Sequence, residues 1–110
     1  MIRITLQYFD GCPNWETTDQ ALATLLAEGW DATVERELIA SYARAVKRGF
    51  PGSPTVLFDG VDPFAEAEMP AALACRVYQT ETGPSGSPSI DQLRQAIARA
   101  EKGYSNGGQR

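Results

Sequence analysis

The sequence contains no histidine and only two cysteines, Cys12 and Cys75. The first absence removes the commonest general base and the commonest zinc ligand. Ser-His and Cys-His catalytic arrangements are excluded, and two cysteines alone do not predict a structural zinc site. Long apolar runs are also missing. Nothing approaches the roughly 20 residues that span a bilayer, so no membrane partner is expected. Positive charge is not in excess: the net charge is −4 over 110 residues, which predicts no basic surface for nucleic acid. Residues 1–9 mix apolar and polar side chains. They lack both a long apolar region and a small-residue cleavage site, which reads as a strand rather than a secretory signal. The expected location is the cytoplasm, where two cysteines are more often thiols than a structural framework. No cofactor and no resident metal site are expected.

What remains is an ordinary globular composition, 43% hydrophobic and 22% charged. That suits one domain with one core, placed at residues 1–102, followed by a flexible tail at 103–110. The most informative feature is the run Tyr8-Phe9-Asp10-Gly11-Cys12-Pro13-Asn14-Trp15. Residues 2–9 before it are apolar and rich in β-formers, and residues 15–27 after it have helical periodicity. A cysteine at a strand-to-helix junction can direct its sulfur at the free N–H groups of the helix N-terminus, which favour an anion. The thiolate is the reactive form, both as a nucleophile and as a soft-metal ligand. Asp10, two residues away, opposes it. The duller alternative is an inert capping cysteine.

Further along, residues 32–38 read as an edge strand and 41–48 as a short helix stopped by Gly49. Phe50-Pro51-Gly52-Ser53-Pro54 cannot continue a helix. Residues 55–58 form a short strand that ends at the hairpin signal Asp59-Gly60. Residues 61–74 are too long for a simple hairpin and suggest a helical excursion, and residues 75–80 read as the returning strand. Residues 82–89 read as a mobile loop and 90–100 as an amphipathic helix. The order is β-α-β-α-β-β-α, an α/β three-layer fold with a mixed four-stranded sheet and helices on both faces.

Two motifs in this frame resemble the thioredoxin-fold family: the cysteine after the first strand, and Gly52-Ser53-Pro54-Thr55-Val56, which is similar to that family's cis-proline loop. The runs from Tyr8 to Trp15, Gly52 to Thr55, Asp62-Pro63-Phe64 and Ala74-Cys75-Arg76-Val77-Tyr78 further resemble a group of small bacterial, often actinobacterial, thioredoxin-family proteins. Some of these are labelled alkylmercury lyase. The resemblance implies Cys12 as the catalytic sulfur and Pro54 in cis. It also implies Pro13, Trp15, Ser53, Pro54 and Thr55 as the substrate-binding surface, with Asp10 and Arg76 modulating it.

The match fails at Trp15, where a dithiol thioredoxin has its second cysteine, so no Cys-x-x-Cys bridge can form. Cys75 is then one candidate to resolve a mixed disulfide, and a small thiol such as glutathione or mycothiol is another. In the plain fold the start of the fourth strand lies far from the active site, and a free cysteine is usually buried. Cys75 is therefore expected in the core unless the 61–74 excursion carries it to Cys12. Asp62-Pro63-Phe64 is expected to be a simple turn, and Arg76 to make a surface salt bridge or hold an anionic group.

Three functions follow from these expectations. The first is a single-cysteine thiol-dependent oxidoreductase acting on a thiol or disulfide substrate, with an extended peptide pairing on the backbone edge before Pro54. The second is organomercurial or other soft-metal handling by two thiolates plus Asp10, since thiolates prefer mercury-like ions. The third is a non-catalytic binding module on the same fold.

Overall fold

The computed structural model describes residues 1–103. Its elements are β1 (Ile2–Tyr8), α1 (Asn14–Ala27), β2 (Ala32–Leu38), α2 (Tyr42–Arg48), β3 (Thr55–Phe58), β4 (Tyr78–Thr80), β5 (Gly83–Ser85) and α3 (Ile90–Lys102). Most of the expected tail, residues 104–110, lies outside the described residues. No described helix is long and apolar enough to cross a membrane.

β1 is the central strand of a mixed sheet of order β2-β1-β3, parallel to β2 and antiparallel to β3. A parallel neighbour needs a crossover, and α1 supplies it. Ile2, Ile4 and Leu6 alternate onto one buried face of β1. There they meet Leu22 and Leu25 of α1, Val56 and Phe58 of β3, and Leu93, Ala96 and Ile97 of α3. Each fully buried Leu, Ile or Phe contributes about 1.5–3 kcal/mol. α3 starts on a capping box, in which Ser89 and Gln92 each bond the other's backbone N–H.

The other side of the sheet is polar. Gln7 donates to Glu37 at 3.0 Å, and Arg48 of α2 forks onto the same carboxylate at 2.7 and 2.9 Å. Helices thus stand on both sides, but α2 is held partly by ions. Its apolar contact is a separate small cluster of Ile39, Ala45 and Phe50.

The Arg48 guanidinium, helped by Gln7 and opposed by partial burial, holds the Glu37 carboxyl at about 2 instead of 4.5. A folded value below the unfolded one stabilises the chain above about pH 4.5, and the contribution is lost as pH falls through about 2. Water screens the pair, since Arg44 and Arg48 are 47% and 40% exposed. The contribution is therefore on the order of 1 kcal/mol. Glu37→Gln should lower the urea midpoint at pH 6, and the gap to wild type should close as the pH approaches 2. A gap that does not change with pH would remove this ion pair from the stability account.

The second half of the chain departs from expectation. The main sheet has three strands, not four. The outward backbone groups of Phe58 are taken by Val61, which turns back at Asp59-Gly60 and exchanges both hydrogen bonds with it. That pairing closes the end of the β3 edge at Phe58, where a fourth strand would begin. The returning strand is shorter than residues 75–80: only Tyr78–Thr80 is strand, and it pairs antiparallel with Gly83–Ser85 in a separate hairpin. No helix forms within residues 61–74. Pro63 and Pro70 each lack an N–H for a helical ladder, and Asp62 Oδ1 accepts from the Phe64 N–H at 2.9 Å, a turn that competes with helix. Nor are residues 82–89 an open loop. They contain β5, Ser87 is buried, and its hydroxyl meets Thr18 of α1 at 2.6 Å.

Candidate active site

The strand-to-helix junction places Cys12 where expected. Its N–H donates to the Phe9 carbonyl at 3.1 Å, which tightens the turn, and Pro13 opens α1 as its N-cap. Cys12 itself has no solvent exposure. Its sulfur is not a free anion facing first-turn amides; it is bonded to Cys75. The Cα atoms stand 5.6 Å apart across 63 positions, inside the span a disulfide allows. The Ser53 carbonyl oxygen stands 3.7 Å from the Cys12 sulfur. On reduction, that oxygen is the acceptor for the Cys12 thiol proton.

Ser53 ties the site together. Its hydroxyl accepts from the Phe9 N–H at 3.0 Å, which fixes the cysteine turn to the proline loop. Its own N–H donates to the Ala74 carbonyl at 2.8 Å, and its carbonyl accepts from the Arg76 N–H at 2.9 Å. Ser53 and Cys75 therefore form a parallel β-bridge. The bridge stops there because Pro54, joined to Ser53 by a cis peptide, has no N–H to extend it. Gly52 makes the approach possible. Its φ is +134°, and a Cβ there would stand 3.1 Å from Arg76 Cβ and 3.2 Å from the Ala74 oxygen.

Arg76 anchors this segment from within. Its side chain is 3% exposed and pairs with Asp62 at 2.8 Å. It also donates to Thr55 Oγ1 at 3.1 Å and the Phe64 carbonyl at 2.9 Å, and lies 4.6 Å over the Tyr78 ring. Tyr78 donates its hydroxyl to the Pro54 carbonyl. Burial pushes the Tyr78 phenol up from its ordinary value, with Arg76 opposing, so the hydroxyl stays a donor at neutral pH.

Several expectations are thereby corrected. Cys75 is exposed, not a core residue, and the 61–74 excursion delivers it to Cys12 instead of leaving it at the far end of the sheet. Arg76 is neither a surface ion pair nor a free anion site, because its guanidinium is committed to Asp62. The edge before Pro54 is filled by the chain's own Ala74 and Arg76, and Ser53 and Thr55 are buried beneath them, so no extended peptide can pair there. Trp15 is half-buried and packs on Tyr8 at 4.4 Å between ring centroids, while Pro13 and Asp10 are exposed on the rim. Among the described residues no three Cys, His, Asp or Glu side chains gather in a metal-binding group, so Asp10 does not join the two sulfurs.

Asp62 and Tyr78 are the site residues that sequence reasoning missed as such. No local signal marked them, because the burial of Arg76 that gives Asp62 and Tyr78 their roles is set by long-range packing. The structure defines the class no further than a mixed α/β domain with a disulfide at a proline loop. No family model, curated protein or solved structure matches the chain.

Proposed function

We propose that the chain is a thioredoxin-like thiol–disulfide oxidoreductase whose redox pair is Cys12 and Cys75. The observation that carries this reading is the Cys12–Cys75 bridge beside Ser53. The second sulfur, absent from position 15, is supplied by Cys75, 63 positions after Cys12. A βαβ unit with a cysteine after its first strand, and a proline loop entering an antiparallel neighbour, supports the thioredoxin-like architecture. In a reducing compartment, the expected one, a disulfide is usually transient and catalytic or redox-sensing. The substrate class is a thiol or a disulfide.

In the test, the purified oxidised chain is added to dithiothreitol and a cystine-containing peptide, and peptide thiols are followed with time. Wild type should accelerate exchange about tenfold or more at catalytic amounts, and the variant lacking both sulfurs, Cys12→Ala with Cys75→Ser, should not. Equal rates with and without the chain count against the proposal. A soft-metal reading is the second, favoured by two sulfurs held within bonding reach: once reduced, they can bridge a two-coordinate ion such as mercuric ion. Titrating the reduced chain should then give one tightly held ion. Identical binding by Cys75→Ser would discard this reading.

A further inference from the structure

We propose that Cys75, not Cys12, is the sulfur that exchange partners attack and that carries the mixed disulfide. This rests on the oxidoreductase reading and assigns the order of its steps. The two cysteines differ in access. Cys12 has no exposed surface, whereas Cys75 is exposed. Exchange is an attack by a thiolate on one sulfur of a disulfide, and access decides which sulfur is reached. The route to Cys12 along the proline loop is closed, because the Ser53 N–H and carbonyl are already paired with Ala74 and Arg76. That cover does not depend on the bridge alone. The Arg76–Asp62 pair and the Tyr78–Pro54 hydrogen bond hold the same segment in place.

The steps balance as follows. A low-molecular-weight thiolate attacks the Cys75 sulfur and the bond to Cys12 breaks. The electron pair goes to the Cys12 sulfur, which takes a proton from water and keeps it as a thiol within hydrogen-bonding reach of the Ser53 carbonyl, 3.7 Å away. A second thiolate then attacks its counterpart on Cys75, leaving as the small disulfide and freeing the Cys75 thiolate. Two thiols are oxidised and the protein disulfide is reduced. In reverse, the Cys75 thiolate attacks a substrate disulfide, and Cys12, deprotonated, attacks the Cys75 sulfur, closes the bridge and expels the second substrate thiolate.

The test uses glutathione as probe. Oxidised wild type is treated with limiting glutathione, quenched with acid, alkylated with N-ethylmaleimide in acidic denaturant so that a buried thiol is also labelled, and mapped by mass spectrometry. Glutathione is expected on Cys75 and the alkyl label on Cys12; glutathione on Cys12 overturns the proposal. In parallel, reduced Cys12→Ala and Cys75→Ser chains are reacted with glutathione disulfide. The chain that keeps Cys75 should react at least about tenfold faster, and the difference should vanish in denaturant. Equal native rates, or a faster Cys12, also overturn it. If native wild-type disulfide resists glutathione altogether, the oxidoreductase reading fails, while the two single-cysteine chains still decide which sulfur is open.

Discussion

Reducing the Cys12–Cys75 bridge should lower folding stability by about 4 kcal/mol. The bridge closes a loop of 63 positions, and the chain-entropy cost it removes from the unfolded state at that length is about 4 kcal/mol. With a urea dependence of about 1.5 kcal/mol/M, the midpoint should fall by about 2–3 M on adding a phosphine reductant at pH 7. Cys75→Ser should fall to the same place, and reductant should then have no further effect on it. A midpoint that reduction leaves unmoved would show that the unfolded chain is not constrained by the bridge. The size of the effect also separates a redox pair from a structural staple. A domain of this length has about 5–15 kcal/mol in total, so the reduced chain should stay folded without denaturant. Exchange requires that, because Cys12 must wait beside Cys75 in the reduced state. A reduced chain that unfolds spontaneously makes the bridge a staple. The relation is reciprocal: what the bridge adds to folding, folding adds to the bridge, about a thousandfold in its equilibrium constant.

The first half of the fold was legible in the sequence because its signals are local. Ile2, Ile4 and Leu6 alternate, α1 follows a turn containing Gly11 and Pro13, and Ser41 and Gly49 bracket α2 with an N-cap and a left-handed C-cap. The expected strand, helix and proline-loop positions up to residue 58 agree with the structure within a residue or two at each element, and the Ser53–Pro54 peptide is cis as the motif implied. Beyond Phe58 the decisive contacts are long-range. Nothing local says that Val61 takes the edge of β3, or that residues 74–76 lie on Ser53 instead of entering a sheet. The alanines and glutamates of 61–74 carry helix propensity, but tertiary pairing overrides it. At the site, Cys12 and the proline loop were legible from position in the fold. The exposure of Cys75 was not, because the rule that free cysteines are buried does not apply to one held at the surface by a bridge.

Asp62→Ala should destabilise the chain by about 3–5 kcal/mol, more than any other single side-chain truncation outside the apolar core. It leaves the Arg76 guanidinium 3% exposed with no anion beside it. Thr55 Oγ1, the Phe64 carbonyl and the Tyr78 ring remain, but none carries a compensating charge. Arg76→Met should cost less. Asp62 is 14% exposed, so water can reach the orphaned carboxylate, which also keeps the Phe64 N–H. The double variant, Asp62→Ala with Arg76→Met, should therefore be more stable than Asp62→Ala alone, the signature of a buried charge left without a partner rather than of lost packing. Urea denaturation of the four chains, all oxidised, measures this. An Asp62→Ala chain within about 1 kcal/mol of wild type would mean that the pair is effectively solvated. The same variant tests what the pair does for the site. The hydrogen bonds of Ser53 to Ala74 and Arg76 do not involve the sulfurs, so residues 74–76 should stay over Cys12 on reduction. Loosening Arg76 should uncover Cys12, so its native alkylation rate should rise toward that of Cys75. If Cys12 stays protected in reduced Asp62→Ala, the backbone bridge at Ser53 is a sufficient cover by itself, and the ion pair serves stability alone.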